Sequence, residues 1–105
     1  MMSEKEYELI IMKLVTESGS ARSSALEAVR AARNGDYQTA EEKIAEAREE
    51  LLRAHSVQTG LIQQEASGEH IAIGLLMVHA QDHLMNAMTV CDLAEEMIGI
   101  CKNSQ

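Results

Sequence analysis

His79, Asp82, His83 and Asn86 stand at i, i+3, i+4 and i+7. At about 100° per residue that spacing gathers them on one helical face. The surrounding stretch, Met77-Val78-His79-Ala80-Gln81-Asp82-His83-Leu84-Met85, is mostly apolar. Placing ionisable groups among apolar ones is costly unless they are paired or used. Two chemistries suit the set. A neutral imidazole nitrogen is a good nucleophile near neutral pH, and its phosphoramidate is energetic enough to be passed onward. Alternatively, two histidines at i, i+4 can chelate zinc from a single helix. The metalloprotease version of that site places Glu directly after the first His. Here Ala80 occupies that position, so the general base is missing. Spacing alone also permits a third reading, a structural oligomerisation module in which the histidines only pack.

The elements that must position these side chains read as helices, at about 4–33, 37–65 and 69–101, in a single domain spanning residues 1–105. The first carries Leu9, Ile10, Met12, Leu14 and Val15, then Ala25, Leu26, Val29 and Ala32; Ser18-Gly19-Ser20 is a candidate bend. Asn34-Gly35 reads as a left-handed stop, and Asp36 as the cap of the next helix. The second helix repeats a 3-4 seam: Tyr37, Ala40, Ile44, Ala47, Leu51, Ala54, Gln58, Leu61, Glu65. Such a seam predicts bundle packing at crossing angles near 20°. Ser67-Gly68 marks the second break.

The third helix has two apolar stripes. One holds Ile73, Met77, Ala80, Leu84 and Met88; the other holds Leu75, Val90, Leu93 and Met97 around the His79/Asp82 cluster. A bundle of one chain covers only one of them, so the second stripe predicts self-association, with cyclic symmetry as the default.

Composition narrows the classes further. Aromatic residues are 2 % of the chain and proline is absent, which favours long uninterrupted helices over a β-sandwich. The net charge of −8 argues against nucleic-acid binding and against anionic membrane surfaces. Cys91 and Cys101, ten apart on one helix, lie about 15 Å apart at helical rise, too far for a disulfide. Reduced thiols, an acidic start without an apolar leader, and no run long enough to span a bilayer predict a cytoplasmic protein.

Leu76-Met77-Val78-His79-Ala80-Gln81-Asp82-His83-Leu84-Met85 resembles the active-site segment of the enzyme IIA component of the lactose/cellobiose (diacetylchitobiose) class of the bacterial phosphoenolpyruvate-dependent sugar phosphotransferase system. Ser18–Ser23, Ala31–Tyr37 and Ala54–Ile62 resemble that family's first-helix bend, first turn and second helix. The resemblance implies an all-α fold: an antiparallel three-helix bundle assembling as a homotrimer, nine helices in all. It implies a phosphohistidine at His79, with the tele nitrogen favoured and the other ring nitrogen left open. The phosphoryl group would come from the phosphocarrier histidine protein HPr. It would leave to a cysteine of the cognate enzyme IIB during uptake of a lactose- or cellobiose-type disaccharide. Asp82 matches the residue that three subunits point at their shared axis around a divalent cation, taken as Mg2+. His83, Gln81, Gln58 and His55 are candidate supporting residues. Asn86 departs from the Thr or Ser common in the family, and neither cysteine belongs to its pattern.

Overall fold

The computed structural model describes residues 2–104. Three helices follow one another: α1 (Glu4–Arg33), α2 (Tyr37–Ala66) and α3 (Leu75–Asn103). Among the described residues there is no strand. The bundle is elongated, 54 × 22 × 20 Å.

Local chemistry accounts for the helix ends. Ser3 and Glu6 form a reciprocal capping box at the start of α1. Gly35 takes φ 80°, the left-handed conformation that stops α1 at low cost. One residue on, the Asp36 carboxylate accepts from the Thr39 backbone N–H at 3.2 Å and starts α2. Hydrogen bonds from the Thr39 side chain and backbone favour the ionised form and hold the Asp36 carboxyl below its usual range. Ser18-Gly19-Ser20 does not interrupt α1, which is helical throughout. At the second break Gly68 again takes positive φ, 100°.

The start of the third helix differs from the sequence expectation. It begins at Leu75, not near Glu69. Residues 69–74 run outside any helix, and Ile71 from this segment plugs into the core. Tyr7 Oη donates to the Ala72 carbonyl, tying the segment to α1. Burying Ile71 and pairing Ala72 outweigh two extra helical turns through β-branched Ile71 and Ile73 and through Gly74. α2 and α3 each run one or two residues beyond the expected end.

The core is a file of small and aliphatic side chains. α1 supplies Ile11, Leu14, Ala21, Ala25, Ala28 and Ala32; α2 supplies Ala40, Ile44, Ala47, Leu51, Ala54 and Leu61; α3 supplies Met77, Ala80, Leu84, Ala87, Cys91, Ala94 and Ile98. The many alanines let the backbones approach closely, which suits a core with almost no aromatic rings. α1 packs along both other helices, and α2 and α3 touch each other much less. Tyr37 Oη donates to the Cys101 carbonyl at 3.1 Å, fixing the start of α2 against the end of α3. Both cysteines are free thiols. The buried Cys91 thiol is pushed up in pKa, chiefly by desolvation.

Candidate functional site

α3 is anchored through Met77, Ala80, Leu84 and Ala87, all buried. Helical geometry therefore turns His79, Asp82 and Asn86 outward, and all three are exposed. His83 is half-buried beside them. The Nε2 atoms of His79 and His83 lie 3.0 Å apart, hydrogen-bond distance, and the two rings meet edge to face with centroids 4.5 Å apart. One Nε2 must carry the proton and the other the lone pair. The contact thus holds the ring of His79 while leaving it open to solvent.

Asp82 has no hydrogen bond or ion pair among the described residues, although charged pairs link α2 to both other helices, such as Arg48 with Asp92 at 2.9 Å and Arg53 with Glu17 at 3.1 Å. Its neighbours on the outer face are His79 and Asn86, set in a line of large aliphatic side chains. Leu75, Asp82, Asn86, Leu93 and Ile100 fall within about 40° of one another around the helix. Leu75 is 86 % exposed, Ile100 65 % and Leu93 52 %. Val78 and Met97 flank this line and are also exposed. An unpaired carboxylate in the middle of an uncovered apolar stripe is what a multi-chain contact would need to neutralise. A hard divalent cation with oxygen ligands suits carboxylates brought together there. One chain offers a single carboxylate at this point. Among the described residues no group of three His, Cys, Asp or Glu side chains is placed to hold a metal.

The other candidates divide. Gln58 Nε2 donates to Gln81 Oε1 at 2.6 Å, and Gln81 Nε2 contacts Met77 Sδ at 3.6 Å. This pair bridges α2 to α3 one helical face away from His79. It borders a shallow groove lined also by Leu61, Ile62, Ile73 and Val78. His55 is exposed and lines a shallow groove with Leu52 and Met88, further toward the C-terminal end of α3. It is not brought to His79. His70 is exposed in the segment before α3.

One polar cluster was not anticipated from the sequence. Glu50 of α2 is 7 % exposed, and both its oxygens accept from α1 hydroxyls, Ser24 at 2.7 Å and Ser20. Ser18 is also buried, on another side of α1, and its hydroxyl has no hydrogen-bond partner among the described residues. The visible signal was two serines, Ser20 and Ser24, at i, i+4 on one side of a helix, with an acidic residue beside a regular seam on the next, which is weak without the fold.

Comparison with known proteins agrees with this arrangement. Residues 9–102 match the family model of the PTS system lactose/cellobiose-specific IIA subunit. The lichenan-specific phosphotransferase enzyme IIA component of Bacillus subtilis is 55 % identical over 94 residues, 90 % of this chain and 86 % of that protein. The crystal structure of the PTS cellobiose-specific enzyme IIA from Bacillus anthracis superposes with a TM-score of 0.91 at 47 % identity, covering 98 % of this chain and 93 % of that one. The IIA(chitobiose) subunit solved in complex with HPr, from the N,N'-diacetylchitobiose branch of the Escherichia coli phosphotransferase system, gives a TM-score of 0.80 at 38 % identity, covering 93 % of this chain and 95 % of that one. With a family model spanning nearly the whole length and relatives this similar, the chain belongs to the lactose/cellobiose-specific IIA subunits of the PTS, the phosphotransferase components of sugar uptake.

Proposed function

We propose that this chain carries a phosphoryl group on His79, taking it from HPr and delivering it to a cysteine of a cognate enzyme IIB. The disaccharide would be of the lactose/cellobiose type, and the carrier would work in the cytoplasm. The observation that carries the reading is an exposed imidazole whose Nε2 sits 3.0 Å from a second imidazole, on the fold of this family. Among the described residues no helix is long and apolar enough to cross a membrane. A IIA relative solved with HPr bound supports the donor.

The chemistry needs little from the carrier. The lone pair of His79 Nε2 attacks phosphorus as the phosphorus–nitrogen bond in the donor breaks. The Nε2–H of His83, freed from that lone pair, is placed to donate to a phosphoryl oxygen. In the second transfer a thiolate of IIB attacks, and the bond to His79 breaks with return of its lone pair. Positioning and charge stabilisation carry most of such a transfer.

Three chains would meet along the outer stripe of α3, with Asp82 from each directed at a shared Mg2+. The exposed leucines and the unpaired carboxylate support that assembly. Carboxylates clustered in an apolar interface repel unless a hard cation neutralises them. Incubating the chain with enzyme I, HPr and phosphoenolpyruvate tests the carrier role. One phosphoryl group per chain, stable in base and labile in acid, is expected on wild type and none on His79→Gln. Wild type that stays unlabelled beside a labelled HPr would refute it.

A further inference from the structure

We infer that His79 and His83 also form a chelating site for a square-planar or octahedral divalent transition ion, of the nickel(II) or copper(II) class, and that filling it silences the carrier. The argument begins with the separation of the two nitrogens. Imidazole nitrogens bind such ions at about 2.0–2.1 Å, so two of them at right angles around one ion lie about 2.9 Å apart, against about 3.3 Å at a tetrahedral angle. The Nε2–Nε2 distance is 3.0 Å. It sits at the right-angled value, and because it is also the hydrogen-bond distance between the rings, the choice of nickel(II) or copper(II) rests on the affinity order of imidazole sites and not on this length.

Access and rigidity favour the same conclusion. His79 is exposed, and both residues stand on one helix fixed through Ala80 and Leu84, each fully buried. The chelate needs no backbone movement. The proton shared between the two nitrogens moves to Nδ1 of the ring that held it, and small rotations of the two rings turn both Nε2 lone pairs toward the ion. With no third His, Cys, Asp or Glu placed to join among the described residues, water would fill the remaining positions. The site is therefore open and exchangeable, unlike a structural metal centre. A net charge of −8 favours any cation at the surface. This site differs from the one proposed at Asp82, whose oxygen ligand suits a hard cation.

The consequence for function rests on the carrier reading. A lone pair of His79 Nε2 bound to an ion cannot attack phosphorus, and a phosphorylated Nε2 cannot bind the ion. The two events exclude each other, and by linkage each weakens the other equally.

Calorimetric titration of the untagged chain with nickel(II) tests the chelate without any phosphoryl transfer. One ion per chain is expected. His79→Gln and His83→Gln should each loosen binding at least about tenfold, because a lone imidazole forfeits the chelate. His55→Gln and His70→Gln should change nothing. Circular dichroism of each variant confirms its helices. Nickel affinity unaffected by His83→Gln, or absence of saturable binding by wild type, overturns the site. Transfer from purified phospho-HPr, with and without nickel, tests the silencing; its loss is expected in wild type loaded with nickel, and an unchanged rate overturns it. Wild type that accepts no phosphoryl group even without nickel defeats the carrier reading, while the titration still decides the chelate.

Discussion

The two faces of α3 are built from similar residues and have opposite fates. The inner face runs Met77, Ala80, Leu84, Ala87, Cys91, Ala94 and Ile98, all buried within the chain. The outer face offers Leu75, Val78, Leu93, Met97 and Ile100, all exposed, with His79 and Asp82 between them. The inner face is close-fitting and nearly free of polar atoms. The outer face keeps the polar groups and large aliphatic side chains that a partner could bury. One helix thus holds the fold together with one side and, in the proposed function, presents chemistry and contact surface with the other. Substitutions should separate accordingly: inner changes move stability, outer changes move transfer and assembly.

The largest separation is expected at the outer face. His79→Gln should abolish phosphoryl acceptance completely while leaving unfolding free energy within about 0.5 kcal/mol, the usual range for an exposed side chain. A phosphorylation assay run beside denaturant titration checks both halves. Leu84→Ala on the inner face should do the reverse. Deleting a fully buried leucine costs about 2–5 kcal/mol, with His79 still accepting phosphate wherever the variant remains folded. Equal loss of transfer and stability in either variant would erase the distinction between the faces.

Smaller effects sharpen the comparison. Glu50→Ala leaves Ser20 and Ser24 without their acceptor inside the bundle, and should cost about 1–3 kcal/mol in chemical denaturation with no change in transfer. Asp82→Leu should leave transfer possible and make self-association independent of chelator; wild type whose sedimentation ignores chelator would count against a cation at Asp82. The smallest effect is at Asp36. Its folded pKa is depressed, so its contribution is present above the ordinary Asp value and fades as pH falls through the folded value. Asp36→Asn should flatten that acid limb slightly, seen as a smaller change in melting temperature across the acidic range.

Much of this organisation was legible in the sequence because helical spacing encodes it directly. The 3-4 seam of α2 returned Ala40, Ile44, Ala47, Leu51, Ala54 and Leu61 as core. Asn34-Gly35-Asp36 carried the first turn in its residue types. The i, i+4 spacing of His79 and His83 was enough to bring their nitrogens together. What the sequence obscured depended on long-range contacts. The late start of α3 rests on Ile71 reaching the core and on Tyr7 holding Ala72, neither of which local periodicity encodes. Glu50 looked like one more solvated acid in an acidic run. Only the arrival of α1 serines opposite it makes its burial tolerable. His55 looked like a neighbour of the site, and helix register put it beside Met88 instead.

The most direct measurement is the imidazole 1H–15N spectrum of the chain, recorded before and after transfer from phospho-HPr. A phosphorus–nitrogen splitting is predicted on Nε2 of His79, with the ring of His83 shifting beside it and the rings of His55 and His70 unmoved. A splitting on any other histidine, or none at all with HPr fully phosphorylated, would contradict the assignment of the outer face of α3 as the site of transfer.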